Sequence, residues 1–248
     1  MKPDKQRLDQ LMVVRHLASS RERARALIQA GAVLVNGMPA AKPATLVSTQ
    51  AAITLKAEDF PYVSRGGLKL EKALRTFPID LQDTVCMDIG ASTGGFTDCL
   101  LQNGARKVYA IDVGYGQLAW KLRQDPRVIA IERTNARHIN RDTVPERVDY
   151  VTIDVSFISL RLIVPAVLPL MKPASGIIAL IKPQFEVGKG QVGKGGVVKD
   201  SRLHREVISS LRQFFEKLPL QYMGDVPSPI RGPKGNQEFL AFLRQFST

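Results

Sequence analysis

The run Asp88-Ile89-Gly90-Ala91-Ser92-Thr93-Gly94-Gly95-Phe96, followed by Ala110-Ile111-Asp112-Val113, decides how this 248-residue chain folds. Asp88 closes an apolar run that begins at Val85 and reads as a buried parallel strand. A helical pattern opens near Gly95. Glycines at such a junction let the backbone turn sharply and approach a bound molecule where a side chain would collide. Asp112 ends a second apolar run, Val108–Ile111, and follows Asp88 by 24 positions. An acidic residue there is suited to accept hydrogen bonds from ribose hydroxyls. The spacing is D-x-G-x-x-x-G rather than the dinucleotide fingerprint G-x-G-x-x-G, because Ser92 stands at the second glycine position. The stretch is expected to hold a nucleoside cofactor.

Outward from this stretch, strand and helix patterns alternate from Ser64 onward. Strands are expected at 84–89, 107–111, 127–131, 148–153, 176–181 and 238–243, with a weaker one at 219–224. Helices are expected at 66–76, 95–103, 115–124, 158–170 and 200–217. Such alternation predicts an α/β, Rossmann-like domain: a doubly wound, mostly parallel sheet with helices on both faces. Ligands of these sheets sit at the C-terminal ends of the strands, where Gly90–Gly95 and Asp112 fall. The glycine-lysine stretch Gly188–Gly196 is expected to form a mobile basic loop.

The first 56 residues differ in character. They carry nine Lys/Arg against three Asp/Glu, half of the chain's formal charge of +12. One helix is expected from Arg7 to Ala18. Ser19 with Glu22 has the spacing of a capping box and opens a second helix that stops at Gly31. That helix carries Arg21, Arg23 and Arg25. Val33-Leu34-Val35 then leads into Asn36-Gly37, a two-residue hairpin turn. Pro39 and Pro43 make the returning strand short or peripheral, and a last strand is expected at Ile53–Leu55. The division expected is a small α+β domain over 1–57, a linker over 58–63 and the larger domain over 64–248.

A charge of +12 favours a polyanionic partner, either nucleic acid or an acidic membrane surface. The longest apolar stretches, Leu162–Met171 and Gly176–Ile181, fall well short of the roughly 20 residues that span a bilayer. No apolar segment behind the N-terminus reads as a signal peptide. Cys86 and Cys99 suggest reduced thiols in a cytoplasmic protein. His16, His138 and His204 stand apart, so no metal site is expected.

Four charged residues stand at element ends: Lys69, Asp154, Lys182 and Glu238. Asp154 and Lys182 each follow a strongly apolar strand, where a charge is costly unless it faces a ligand crevice. Singly, each has a plain reading as a surface lysine, a helix cap or a loop charge. Together they match in type and order the Lys-Asp-Lys-Glu tetrad of FtsJ-like ribose 2′-O-methyltransferases. The glycine loop resembles the first motif of S-adenosylmethionine-dependent methyltransferases. The longer strings SRGGLK (64–69), DIGASTGGFT (88–97), DVGYGQLAW (112–120), ERTNAR (132–137), DVSFISL (154–160) and KPQFEVGKG (182–190) resemble the haemolysin A (TlyA) family of rRNA methyltransferases. The two basic helices and the hairpin resemble the RNA-binding domain of small-subunit ribosomal protein four. Together these resemblances span essentially the whole chain.

The resemblance implies S-adenosylmethionine as cofactor, a cytidine 2′-hydroxyl of rRNA within ribosomal subunits as target, and no metal. It implies that the tetrad carries the chemistry; of its two lysines, Lys182 is expected as the general base, held by Asp154, with Lys69 and Glu238 positioning the ribose and tuning it. An amine acts as a base only in its neutral form, which burial or a second cation favours and neighbouring carboxylates oppose. Asp88, Gly90, Ser92, Gly94, Gly95, Asp112 and Asn135 are expected around the cofactor. Phe157 reads either as a core residue or as a wall of the pocket, and the resemblance favours the wall. Arg7, Arg15, Arg21, Arg23 and Arg25 are expected to contact RNA. Members that end near the last strand resemble the subgroup that modifies only the large subunit, so large-subunit rRNA is the expected substrate. The competing readings are a non-catalytic RNA-binding assembly factor and a membrane-active haemolysin.

Overall fold

Val85–Ile89 is buried at every residue, without the alternation of a half-exposed strand, so both faces of the sheet around it are covered. This strand is the centre of the computed structural model, which describes residues 4–18, 20–29, 31–40, 42–55, 61–188, 190–232 and 234–246. The chain divides into two compact units, Met1–Ser64 and Arg65–Thr248.

In the first unit, β1 (Lys5–Arg7) leads directly into α1 (Leu8–Val14), followed by α2 (Arg21–Gln29), β2 (Val33–Val35), β3 (Met38–Pro39), β4 (Leu46–Ser48) and β5 (Ile53–Leu55). The hairpin β2–β3 turns at Asn36 and Gly37, whose φ values of 49° and 79° are those a two-residue turn of this kind requires. β5 pairs on the other side of β2. The core is Leu8, Leu11 and Met12 of α1 against Ala24, Leu27 and Ile28 of α2. Two expectations need correction. The first helix is shorter than Arg7–Ala18: Arg7 belongs to a strand that pairs antiparallel with β4, and the chain turns at His16, φ 57°. Ser19 lies outside the described residues, and it is Ser20 Oγ that accepts the amide of Arg23 at 3.1 Å. Residues 56–60, which include the first half of the expected linker, also lie outside the described residues.

The second unit runs α3 (Gly66–Thr76), β6 (Val85–Ile89), α4 (Gly95–Gln102), β7 (Lys107–Ile111), α5 (Trp120–Arg123), β8 (Val128–Ile131), β9 (Val148–Ile153), α6 (Leu160–Val167), β10 (Met171–Ile181), α7 (Ser201–Phe215), β11 (Leu220–Pro227) and β12 (Phe239–Gln245). The seven-stranded sheet has the order β11-β12-β10-β9-β6-β7-β8. Five strands are parallel, and β12 runs antiparallel between β10 and β11. Strand order reverses at β6, with β7 on one side and β9 on the other, so a crevice opens at its C-terminal end. The helix expected at 115–124 is only Trp120–Arg123. The chain before it is held as a loop, because the amide of Gly114 donates to Asp112 Oδ1 and that of Gly116 to Glu132 Oε1. The helix expected to run to 170 ends at Val167, and a 3₁₀ turn containing Pro169 completes it.

Candidate active site

Two cavities meet at the C-terminal ends of β6 and β9. The larger, about 1000 Å³, runs from Gly90, Ser92 and Asp112 to Asn135 and Arg137. The smaller, about 540 Å³, contains Lys69, Lys182 and Glu238. Gly90, Ser92, Asp154, Ser156, Phe157 and Phe185 line both.

The glycine loop is built for close approach. Gly90 has φ +82°, and a Cβ there would sit 2.5 Å from the carbonyl oxygen of Asp154. Asp112 extends from the end of β7 with its carboxylate aimed by two amides, Ser92 N to Oδ2 at 2.8 Å and Gly114 N to Oδ1 at 2.7 Å. A carboxylate oriented in this way keeps lone pairs for a vicinal diol. Asn135 caps a 3₁₀ turn by accepting from the amide of Arg137 at 3.1 Å, which fixes it on the cavity wall. Phe157 is 88% exposed at φ +64° and packs its ring 5.0 Å from that of Phe185. It is therefore a wall of both cavities and not a core residue.

Gly94 and Gly95 lie behind this wall, at the start of α4. Asp88 is also behind it and fully buried. Its Oδ1 accepts from the Thr152 hydroxyl at 2.9 Å and its Oδ2 from that of Thr97 at 2.7 Å. Asp88 thus ties β6 to β9 and α4, and it reaches the cavity only through the loop it supports. Burial pushes its carboxyl up to about 6, against the two hydroxyls and with help from Asp154. Between that value and the ordinary 3.8, the folded state holds a proton that the unfolded chain does not. The Asp88 contribution to stability therefore rises as pH falls through 6 and levels off below 3.8. Carboxyl-carbon NMR should show an inflection for Asp88 near pH 6; one near 4 would mean a wetter site than this.

Charge pairs occupy the second cavity. Lys69 Nζ, from α3, donates to Glu238 Oε2 at 2.5 Å, across 169 residues of sequence. Lys69 is 8% exposed and Glu238 1%. Lys182, just past β10, reaches Asp154 Oδ1 at 2.6 Å and donates to Ser156 Oγ at 2.9 Å. Buried charges survive only when paired in this way. The two loops carrying Lys182 and Asp154 are also cross-tied. Glu186 Oε2 accepts from the Ser159 hydroxyl at 2.6 Å and Oε1 from the amide of Leu160 at 2.8 Å, at the start of α6. Burial pushes the Glu186 carboxyl upward, with those two donors opposing. Ser156, Thr97, Thr152 and Glu186 were not singled out from sequence. Thr152 was the most legible, a lone hydroxyl in a buried strand.

In the first unit the five arginines separate into two groups. Arg7, Arg21 and Arg25 converge on Asp9, which is fully buried, and their own side chains remain 37%, 47% and 48% exposed. Hydrogen bonds from Arg7 first, then Arg25 and Arg21, hold the Asp9 carboxyl well below the usual carboxylate range against the effect of burial. Arg23 corrects an expectation: it is buried, and its guanidinium donates to the Tyr62 carbonyl at 2.6 Å. Arg15 is half-buried and donates to the carbonyls of Thr49 and Ala51. Those two arginines hold the fold, and three remain available to a ligand.

Among the described residues, no three His, Cys, Asp or Glu side chains gather where they could hold a metal. None of the described helices is long and apolar enough to cross a membrane.

Comparison with known proteins agrees with this geometry. The FtsJ-like methyltransferase family model matches residues 62–245, and the S4 domain model matches 6–53. The chain is 48% identical to the 16S/23S rRNA (cytidine-2′-O)-methyltransferase TlyA of Mycobacterium tuberculosis, over 96% of this chain and 89% of that one. It is 38% identical to the 23S rRNA (cytidine-2′-O)-methyltransferase TlyA of Campylobacter jejuni, over 73% and 70%. A solved structure of a candidate hemolysin from Streptococcus thermophilus superposes with a TM-score of 0.78 and 44% identity, over 100% of this chain and 90% of that one. A mostly parallel sheet whose order reverses at β6, a glycine loop at its tip and a family match over residues 62–245 have one reading: this chain belongs to the FtsJ-like methyltransferase family, with an S4 domain at its N-terminus.

Proposed function

We propose that this chain transfers a methyl group from S-adenosylmethionine to a cytidine 2′-hydroxyl of large-subunit rRNA. The observation that carries the reading is the junction of the two cavities at Asp154 and Ser156. One cavity presents Asp112 and Asn135 for a nucleoside, and the other presents two lysine–carboxylate pairs. The residues of the first cavity fit the cofactor: Asp112 for the ribose, Asn135 for the base, and Gly90 and Ser92 for the methionine portion. Once bound, the cofactor supplies a methyl group already activated by a sulfonium charge.

The remaining work falls to the side chains of the second cavity. A ribose hydroxyl is a poor nucleophile until its proton leaves, and Lys182 is placed to take it. Asp154 holds that amine at the junction, while Lys69 and Glu238 brace each other and position the ribose. General-base assistance of this kind is worth about 10²–10⁴-fold. A target defined by its 2′-hydroxyl requires RNA rather than DNA.

The exposed arginines on Asp9 supply a phosphate-binding surface already fixed in direction. Arg21→Gln and Arg25→Gln should each lower the slope of log K against log salt for rRNA binding by about one. Arg23→Gln should lower the melting temperature with the slope unchanged, and equal slopes for all three variants would contradict this division.

The named activities of the two relatives share the 23S RNA, which favours the large subunit here. With methyl-labelled S-adenosylmethionine and separate unmodified subunits, label should enter the large-subunit RNA. Label confined to the small subunit would overturn the choice of substrate, and label in neither would overturn the activity.

A further inference from the structure

Asp154 alone does not fix the Lys182 amine. A carboxylate oxygen accepts over a broad range of directions, and a lysine has four rotatable bonds leading to Nζ. With a single contact the ammonium can swing about Oδ1. The second contact, Nζ to Ser156 Oγ at 2.9 Å, removes that freedom. A tetrahedral nitrogen with two directions tied keeps one direction free, and Lys182 lines the same cavity as both acceptors.

The chain is shaped to put Ser156 there. The amide of Asp154 donates to the Ile89 carbonyl at 2.9 Å, which ends the β9 ladder against β6. Two residues after Asp154, Ser156 lies on the wall of both cavities, and the left-handed turn at Phe157 redirects the backbone immediately beyond it. Among the described residues, Lys182 is the partner of the Ser156 hydroxyl. A neutral acceptor also suits this position: it orients the amine without placing a second negative charge beside Asp154.

We propose that Ser156 is a positioning residue for Lys182, setting the direction of its reactive nitrogen without touching the reacting atoms. This rests on the reading of Lys182 as the general base. Misplacement of a catalytic group by about 1 Å can cost about 10²-fold in rate.

The test compares wild type, Ser156→Ala, Ser156→Thr and Lys182→Ala, using the subunit that the wild type methylates. In Ser156→Ala, kcat should fall roughly 10- to 100-fold, while KM for the subunit and affinity for S-adenosylmethionine change less than about twofold. Ser156→Thr, which keeps the hydroxyl, should recover most of that loss. Wild-type kcat in Ser156→Ala beside an inactive Lys182→Ala would overturn this inference alone. Substantial activity in Lys182→Ala would overturn it together with the reading it rests on. Equal impairment in the Ala and Thr variants, with weakened cofactor binding, would make Ser156 a structural wall and also overturn the proposal.

Discussion

Lys182→Ala should abolish methyl transfer while leaving S-adenosylmethionine binding nearly intact. The separation follows from where the side chain sits. Lys182 lines the smaller cavity and not the larger one that presents Asp112 and Asn135. Its removal frees Asp154, whose side chain is 22% exposed and so can be rehydrated. No buried charge is stranded, and the melting temperature should move little. The loss in kcat should be about 10²-fold at least and up to about 10⁴-fold. Rapid-quench turnover with calorimetric cofactor titration separates the two effects. A variant within about tenfold of wild type would remove Lys182 from the chemistry. Loss of cofactor binding alongside activity would place it in the donor's site instead.

Gly90→Ala should strike both functions. The added Cβ would lie 2.5 Å from the Asp154 carbonyl oxygen, 3.0 Å from its carbon and 3.3 Å from the amide nitrogen of Val155. All three are backbone atoms, so no side chain can rotate away. The φ of +82° is also one that alanine tolerates poorly, at a cost of about 1–2 kcal/mol. The end of β9 must move, and Asp154 and Ser156 move with it, taking Lys182 out of register. Affinity for S-adenosylmethionine should fall by about tenfold or more, and kcat by about 10²-fold. Unchanged affinity in a folded Gly90→Ala protein would show that the loop does not approach the cofactor.

The parallel sheet was legible because its strands are short and mostly apolar, and their boundaries lie within a residue or two of those expected, except that β10 begins at Met171 rather than at 176. The strand Lys5–Arg7 was not legible, since three polar residues carry no period that separates an edge strand from a helix start. Residues 115–119 form a loop and not the start of the expected helix, because carboxylates on Asp112 and Glu132 capture the amides of Gly114 and Gly116 and override the helical spacing. At the site, Asp154 and Lys182 stood out because a charge after a buried strand demands a reason. The Lys69–Glu238 contact lay beyond reach, since nothing local joins residues 169 positions apart. Arginine roles were the least legible. Arg21, Arg23 and Arg25 alternate along one helix, yet Arg23 turns inward to a carbonyl while its neighbours share Asp9.

In the proposed reaction the two cavities bring a methyl donor and a ribose hydroxyl together beside Lys182. Digesting the methyl-labelled large-subunit RNA to nucleosides tests it most directly. The label should run as 2′-O-methylcytidine. Label on a methylated base would contradict the account, because neither lysine–carboxylate pair would then have the ribose proton to take.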